Sequence, residues 1–116
     1  MIEVTGPAFG PFPASFPVTR DGRIAFVETP GHMRGHLSIL AQDQEILYCL
    51  AGDATYDVEL LLTNQIDGVT YDVAVSKRTL ERIRLLGRQQ PTVVLPAHDP
   101  RAPERLVKKS CLLGRE

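Results

Sequence analysis

The run Ile46, Leu47, Tyr48, Cys49 and Leu50 does most to limit the folds open to this chain. Near-continuous apolar character over a few residues reads as a strand covered on both faces. Residues 37–41 and 45–51 are expected to pair as a hairpin around residues 42–44. Upstream, Asp21-Gly22 is the dipeptide that supplies the positive φ values of a tight two-residue turn, so residues 15–20 and 23–28 are expected to form another antiparallel pair. Residues 1–17 carry Pro7, Pro11, Pro13 and Pro17 together with Gly6 and Gly10. That composition excludes regular helix and at best edges a sheet, so the stretch reads as a long loop.

Farther along, Val75, Thr79, Ile83 and Leu86 recur at helical spacing behind Asp72, a good N-cap, which predicts a helix over 72–88 with Gly87 placed as a C-terminal cap. Its charged residues Lys77, Arg78, Glu81, Arg82 and Arg84 read as a solvated face, with Lys77 and Glu81 one turn apart. Residues 92–95 form a short β-branched strand stopped by Pro96, and residues 102–113 have helical composition with Asp99 and Pro100 as start signals. The predicted order is β, β, β, β, α, β, α, a layered α/β arrangement with mixed strand directions.

At 116 residues and 43% hydrophobic content the chain suits one small domain with a modest core. A net charge of −1 offers no general attraction to nucleic acid or to anionic membrane. Cys49, in a predicted strand, and Cys111, in a predicted helix, lack metal-type spacing and read as reduced, buried thiols of a cytoplasmic protein. The opening residues have neither the basic start nor the apolar run of a signal peptide, and no stretch approaches membrane-spanning length.

All three histidines lie in two loop motifs, Thr29-Pro30-Gly31-His32-Met33-Arg34-Gly35-His36 and Leu95-Pro96-Ala97-His98-Asp99-Pro100, with Gly52-Asp53-Ala54-Thr55-Tyr56 between them. Histidine and aspartate at strand ends are the residue types that a divalent cation such as zinc takes as ligands. If 37–41 and 45–51 pair antiparallel, the His32–His36 loop and Asp53 leave the same sheet edge, neighbouring strands being roughly 4.8 Å apart. Convergence of His98 on that edge fits the habit of ligands to gather outside strand ends, but spacing does not derive it. Gly31 and Gly35 would let the backbone turn tightly about an ion, and Gly52 would permit a strained exit before Asp53. Plain structural readings stand beside these: His98 as a surface-loop histidine, His36 as a hydrogen-bonded structural one, Asp53 as a turn cap, Tyr56 as a packed aromatic and Asp99 as a helix cap.

The combination Glu28-Thr29-Pro30-Gly31-His32, Gly35-His36, Gly52-Asp53 and Pro96-Ala97-His98-Asp99 resembles the second half of a metallo-β-lactamase-fold hydrolase, over nearly the whole chain. The resemblance implies part of an αββα sandwich, the C-terminal half of such a domain spanning 1–116, with a mixed, mostly antiparallel sheet and two or three helices. It implies two zinc-like ions, His32 binding one, His98 the other and Asp53 bridging both. Tyr56 is similar to the substrate-contacting tyrosine of N-acyl homoserine lactonases, which favours that subgroup over glyoxalase II-like thioesterases. The implied chemistry is attack of metal-bound hydroxide on a lactone or related ester. Tyr56 would donate to the oxyanion, Asp53 would pass a proton to the leaving alkoxide, and His36 and Asp99 would orient the ligands.

Two departures accompany the resemblance. The His-x-His-x-Asp-His run of the family is absent from this sequence, and Met33-Arg34 stands where relatives more often show Thr-Pro. The first suits a fragment completed by an upstream half-domain or by a homo-oligomer. It also leaves two further readings open, an inactive metal-binding remnant and a metal-free interaction module whose exposed strand edge pairs with another chain.

Overall fold

A computed structural model describes residues 4–31, 35–54, 58, 61 and 73–112. Period-two burial sets its strands. In β2 (Ile24–Glu28) Ala25 and Val27 are buried, in β3 (Leu37–Asp43) Ser38 and Leu40, and in β4 (Ile46–Gly52) Leu47, Cys49 and Ala51. Registers that pair Ala25 with Leu40 and Leu40 with Cys49 carry these residues onto one face, as side-chain alternation requires. With β1 (Phe16–Pro17) and β5 (Thr92–Pro96) the sheet has the order β1-β2-β3-β4-β5, antiparallel except for the parallel β4–β5 pair. The expected element order and mixed sheet are both present.

Between β4 and β5 the chain runs through α1 (Val73–Gln89), whose Leu80, Ile83 and Leu86 recur at helical spacing and pack with Leu40, Leu47, Cys49 and Val94. Val58 and Leu61, both helical, and Phe12 from the proline-rich loop complete that core. Each fully buried aliphatic side chain of this kind contributes about 1.5–3 kcal/mol relative to exposure. Burial also pushes the Cys49 thiol up to about 12, so it packs as an inert apolar group.

The opposite face of the sheet is open among the described residues. Leu50 is 42% exposed, and Phe16 and Ile24 are each 38% exposed. The expectation that β4 is covered on both faces is therefore corrected. Its apolar run is continuous, but α1 covers only the Leu47, Cys49 and Ala51 side.

Four local expectations also change. Asp21-Gly22 is not a two-residue turn, because only Gly22 of the pair has positive φ, +72°. The connection instead spans 18–23, where the Asp21 carboxylate accepts the Thr19 hydroxyl at 2.7 Å and the Arg23 N–H at 3.0 Å. Gly87 lies within α1 and is not a cap; a Cβ there would stand 3.0 Å from the Leu112 side chain. The final helix, α2 (Ala102–Lys108), stops well short of 113. Lys109 turns left-handed at φ +54°, Ser110 N–H bonds to Arg105 O at 3.0 Å, and Leu112 N–H returns to Thr92 O at 2.8 Å. Burying Leu112 against Gly87 outweighs continuing an exposed helix, and leaves Cys111 outside it and partly exposed rather than buried. On α1, Glu81 pairs with Arg84. No described helix is long and apolar enough to cross a membrane.

Candidate functional site

Strand direction brings four chain segments to one end of the sheet: Thr29 after β2, His36 before β3, Gly52-Asp53 closing β4 and Pro96-Ala97-His98 closing β5. The parallel register places Gly52 beside Pro96 across an irregularity between Leu50 and Gly52, and Ala97 N–H reaches Gly52 O at 2.8 Å. Gly52 takes φ +56°, the strained exit expected of it. Asp53 and His98 leave these paired ends side by side, with His98 Nε2 2.9 Å from Asp53 Oδ1. The structure thus supplies the convergence that spacing left open.

Their contact tests whether the two side chains suit a cation. Asp53 Oδ1 is buried and makes no hydrogen bond among the described residues, so the 2.9 Å approach has ion-pair distance without hydrogen-bond alignment. Two donors each about 2.0–2.2 Å from one tetrahedral ion sit roughly 3.3–3.6 Å apart, so the 2.9 Å pair would open by about half an ångström to hold one between them. Both side chains are reachable, His98 being 56% and Asp53 37% exposed. The pair fits a shared cation, although no group of three or more potential ligands occurs among the described residues. His32 and Tyr56 lie outside those residues, as do Met33-Arg34 and Asp72.

Behind the pair, His36 is held from both sides. Asp53 N–H donates to its Nε2 at 3.1 Å, and its Nδ1 lies 2.8 Å from Thr29 Oγ1. Thr29 Oγ1 is in turn 2.7 Å from Ser38 Oγ, which reaches Ala51 O at 3.4 Å. A Cβ on Gly52 would stand 2.9 Å from His36 Nε2, so glycine is required there for close approach as well as for φ. Gly31 proves to serve packing, since a Cβ would lie 2.8 Å from Ser76 Cα, and Thr79 of the same helix donates to Pro30 O at 2.6 Å. The loop that carries His32 is therefore pinned to α1 just before that residue. Gly35, at φ +71°, faces open space.

Asp99 is 5% exposed and works as a tie between segments. Its carboxylate accepts Arg101 N–H at 2.8 Å and Val58 N–H at 3.1 Å and pairs with Arg105. Burial opposes its charge, but those two N–H groups and the guanidinium outweigh it and hold the carboxyl below its ordinary value. Asp99 thus braces the start of α2, as its reading as a cap implies, although the N-cap position itself is Arg101. It also joins the His98 loop to the segment after Asp53, which sequence spacing does not reveal.

Thr29, Ser38 and Arg105 were not among the candidate residues. Ser38 carried a signal, a hydroxyl on the inward-facing register of an apolar strand, where a buried polar group requires a partner.

No protein-family model and no curated protein matches the sequence. Solved structures do match, and the fold they share with the chain is part of the metallo-β-lactamase fold. An N-acyl homoserine lactone hydrolase with N-hexanoyl-L-homoserine bound at its catalytic metal centre aligns with a TM-score of 0.64 at 20% identity, over 84% of this chain and 36% of its own. A mutant of AiiA from B. thuringiensis with N-decanoyl-L-homoserine at its active site gives 0.65 at 21% identity over the same shares. A quorum-quenching N-acyl homoserine lactone lactonase gives 0.60 at 23% identity, over 77% of this chain and 35% of its own. The chain spans little more than a third of the length of these lactonases, in keeping with a partial C-terminal half.

Proposed function

We propose that the chain is the metal-binding C-terminal half of a lactonase-like hydrolase acting on an N-acyl homoserine lactone or related ester. The observation that carries this reading is the 2.9 Å approach of His98 Nε2 to Oδ1 of Asp53 at the sheet end, an oxygen that is buried and accepts no hydrogen bond among the described residues. His98 and Asp53 would hold one divalent ion, zinc by the chemistry of the donor set, and Asp53 and His32 a second. Bound ions of this kind supply Lewis-acid polarisation and activate water. Asp53 would hold its carboxylate at the site, take up the proton that the attacking water gives up, and pass it to the leaving oxygen. Tyr56, three residues on, would donate to the developing oxyanion. His36 and Asp99 orient the two backbone ends from which the ligands project.

The open face with Phe16, Ile24 and Leu50 supports completion by further polypeptide. In this reading an upstream half-domain covers that face and brings the missing histidines, and the assembled protein works in the cytoplasm, where its two free cysteines stay reduced.

Zinc titration by calorimetry and hydrolysis of N-hexanoyl homoserine lactone test the proposal. The chain is expected to bind zinc weakly alone and to turn over lactone only with the upstream polypeptide. Absence of zinc binding in both preparations, or lactone turnover that survives Asp53→Ala and His98→Ala, would overturn it.

A further inference from the structure

The proton positions in the network behind Asp53 follow from one fixed donor. A backbone N–H can only donate, so the Asp53 amide, 3.1 Å from His36 Nε2, requires a lone pair on that nitrogen. A neutral imidazole with Nε2 unprotonated carries its hydrogen on Nδ1, which donates across 2.8 Å to Thr29 Oγ1. The Thr29 hydroxyl then turns its hydrogen to Ser38 Oγ at 2.7 Å, and Ser38 turns its own to Ala51 O. Each donor is oriented by the one before it. The path starts at the amide of Asp53 and ends on the carbonyl of Ala51, two residues earlier on the same strand end.

We propose that Thr29, His36 and Ser38 form a one-way hydrogen-bond relay that locks His36 as the Nδ1–H tautomer and fixes the backbone of Gly52-Asp53, making all three positioning residues for the Asp53 carboxylate. His36 is thereby assigned away from metal ligation, because its Nε2 lone pair faces a backbone donor. The close approach of His36 to Gly52 is part of the device, since any side chain at 52 would displace the ring. The assignment of a role in ligand positioning rests on the reading of Asp53 as a metal ligand. The tautomer does not.

Nitrogen-15 NMR of the metal-free native chain reads the tautomer, and hydrogen exchange reads the Asp53 amide. The expected result is Nδ1 protonated and Nε2 unprotonated at neutral pH, with the Asp53 amide protected. Thr29→Val should mix the tautomers and speed exchange of that amide at least tenfold, whereas Thr29→Ser, which keeps the hydroxyl, should restore both. If the valine variant does not fold, Ser38→Ala carries the same comparison. An Nε2–H tautomer in the native chain, or variants that leave both readouts unchanged, would overturn the relay. Zinc affinity separates this inference from the functional proposal. A chain with the Nδ1–H tautomer but no zinc binding keeps the relay and loses its role at a metal. A chain that binds zinc with the Nε2–H tautomer overturns the relay alone.

Discussion

At the end of the sheet where β1 runs into β2 and β3 into β4, side chains bond no more than five residues away: Thr19 and Arg23 to Asp21, Ile24 to Thr19, and Gln42 to the Gln44 carbonyl. At the opposite end the partners are distant in sequence. Asp53 reaches His36, Val58 reaches Asp99 and Thr79 reaches Pro30. The same strands thus finish in self-contained turns on one side and in a cross-linked cluster on the other. Local turns cost little to disturb and constrain little. A cluster tied across the chain holds side chains in fixed relation, which a binding or catalytic site requires.

Substitutions at matched positions sharpen that contrast. Asp99→Ala leaves the Val58 amide and the Arg105 guanidinium without their buried partner and should cost about 3 kcal/mol in urea unfolding. Asp21→Ala, on an exposed turn, should cost far less, a small but measurable loss in the same assay. A cost at Asp21 equal to that at Asp99 would break the comparison. Among the glycines, Gly52→Ala combines a left-handed backbone with collision against His36 and should cost about 2–3 kcal/mol. Gly22→Ala has a left-handed backbone but open space, and should cost about 1 kcal/mol by thermal unfolding.

Smaller effects follow for single hydrogen bonds. Thr79→Val deletes the bond to Pro30 O and should destabilise by about 1 kcal/mol, with faster amide exchange around Gly31 as its local mark. The smallest effect is the pH dependence of the Asp21 turn. The Thr19 hydroxyl and the Arg23 N–H hold its carboxyl below the ordinary aspartate value. Its contribution is therefore present above the unfolded-state pKa and is lost as pH falls through the lower folded value. Melting curves of the native chain and Asp21→Asn between about pH 5 and pH 2 should converge on acidification. A difference that grows with acid would contradict this.

The same contrast explains what the sequence made legible. β2 was legible from the Asp21-Gly22 dipeptide, β3 and β4 from the apolar run beside a short connection, β5 from its β-branched run before Pro96, and α1 from helical spacing. The strand-end positions of His36 and Asp53 followed too, since antiparallel pairing leaves little choice of edge; that of His98 did not, because β5 joins the sheet as the parallel neighbour of β4 after a crossover through α1. Gly87 and α2 misled because a glycine near a helix end and a run of helix-compatible residues carry no record of Leu112 folding back over them. The open face was hidden because β4 is apolar on both sides whether or not anything covers it. The roles of Thr29, Ser38 and Arg105 depend on neighbours that only the assembled sheet supplies.

Zinc-edge anomalous diffraction from crystals grown with zinc tests the central claim most directly. The account predicts a peak within about 2.2 Å of both Asp53 Oδ1 and His98 Nε2, lost in Asp53→Ala. A zinc peak elsewhere, with the two side chains still in contact and no metal between them, would contradict it.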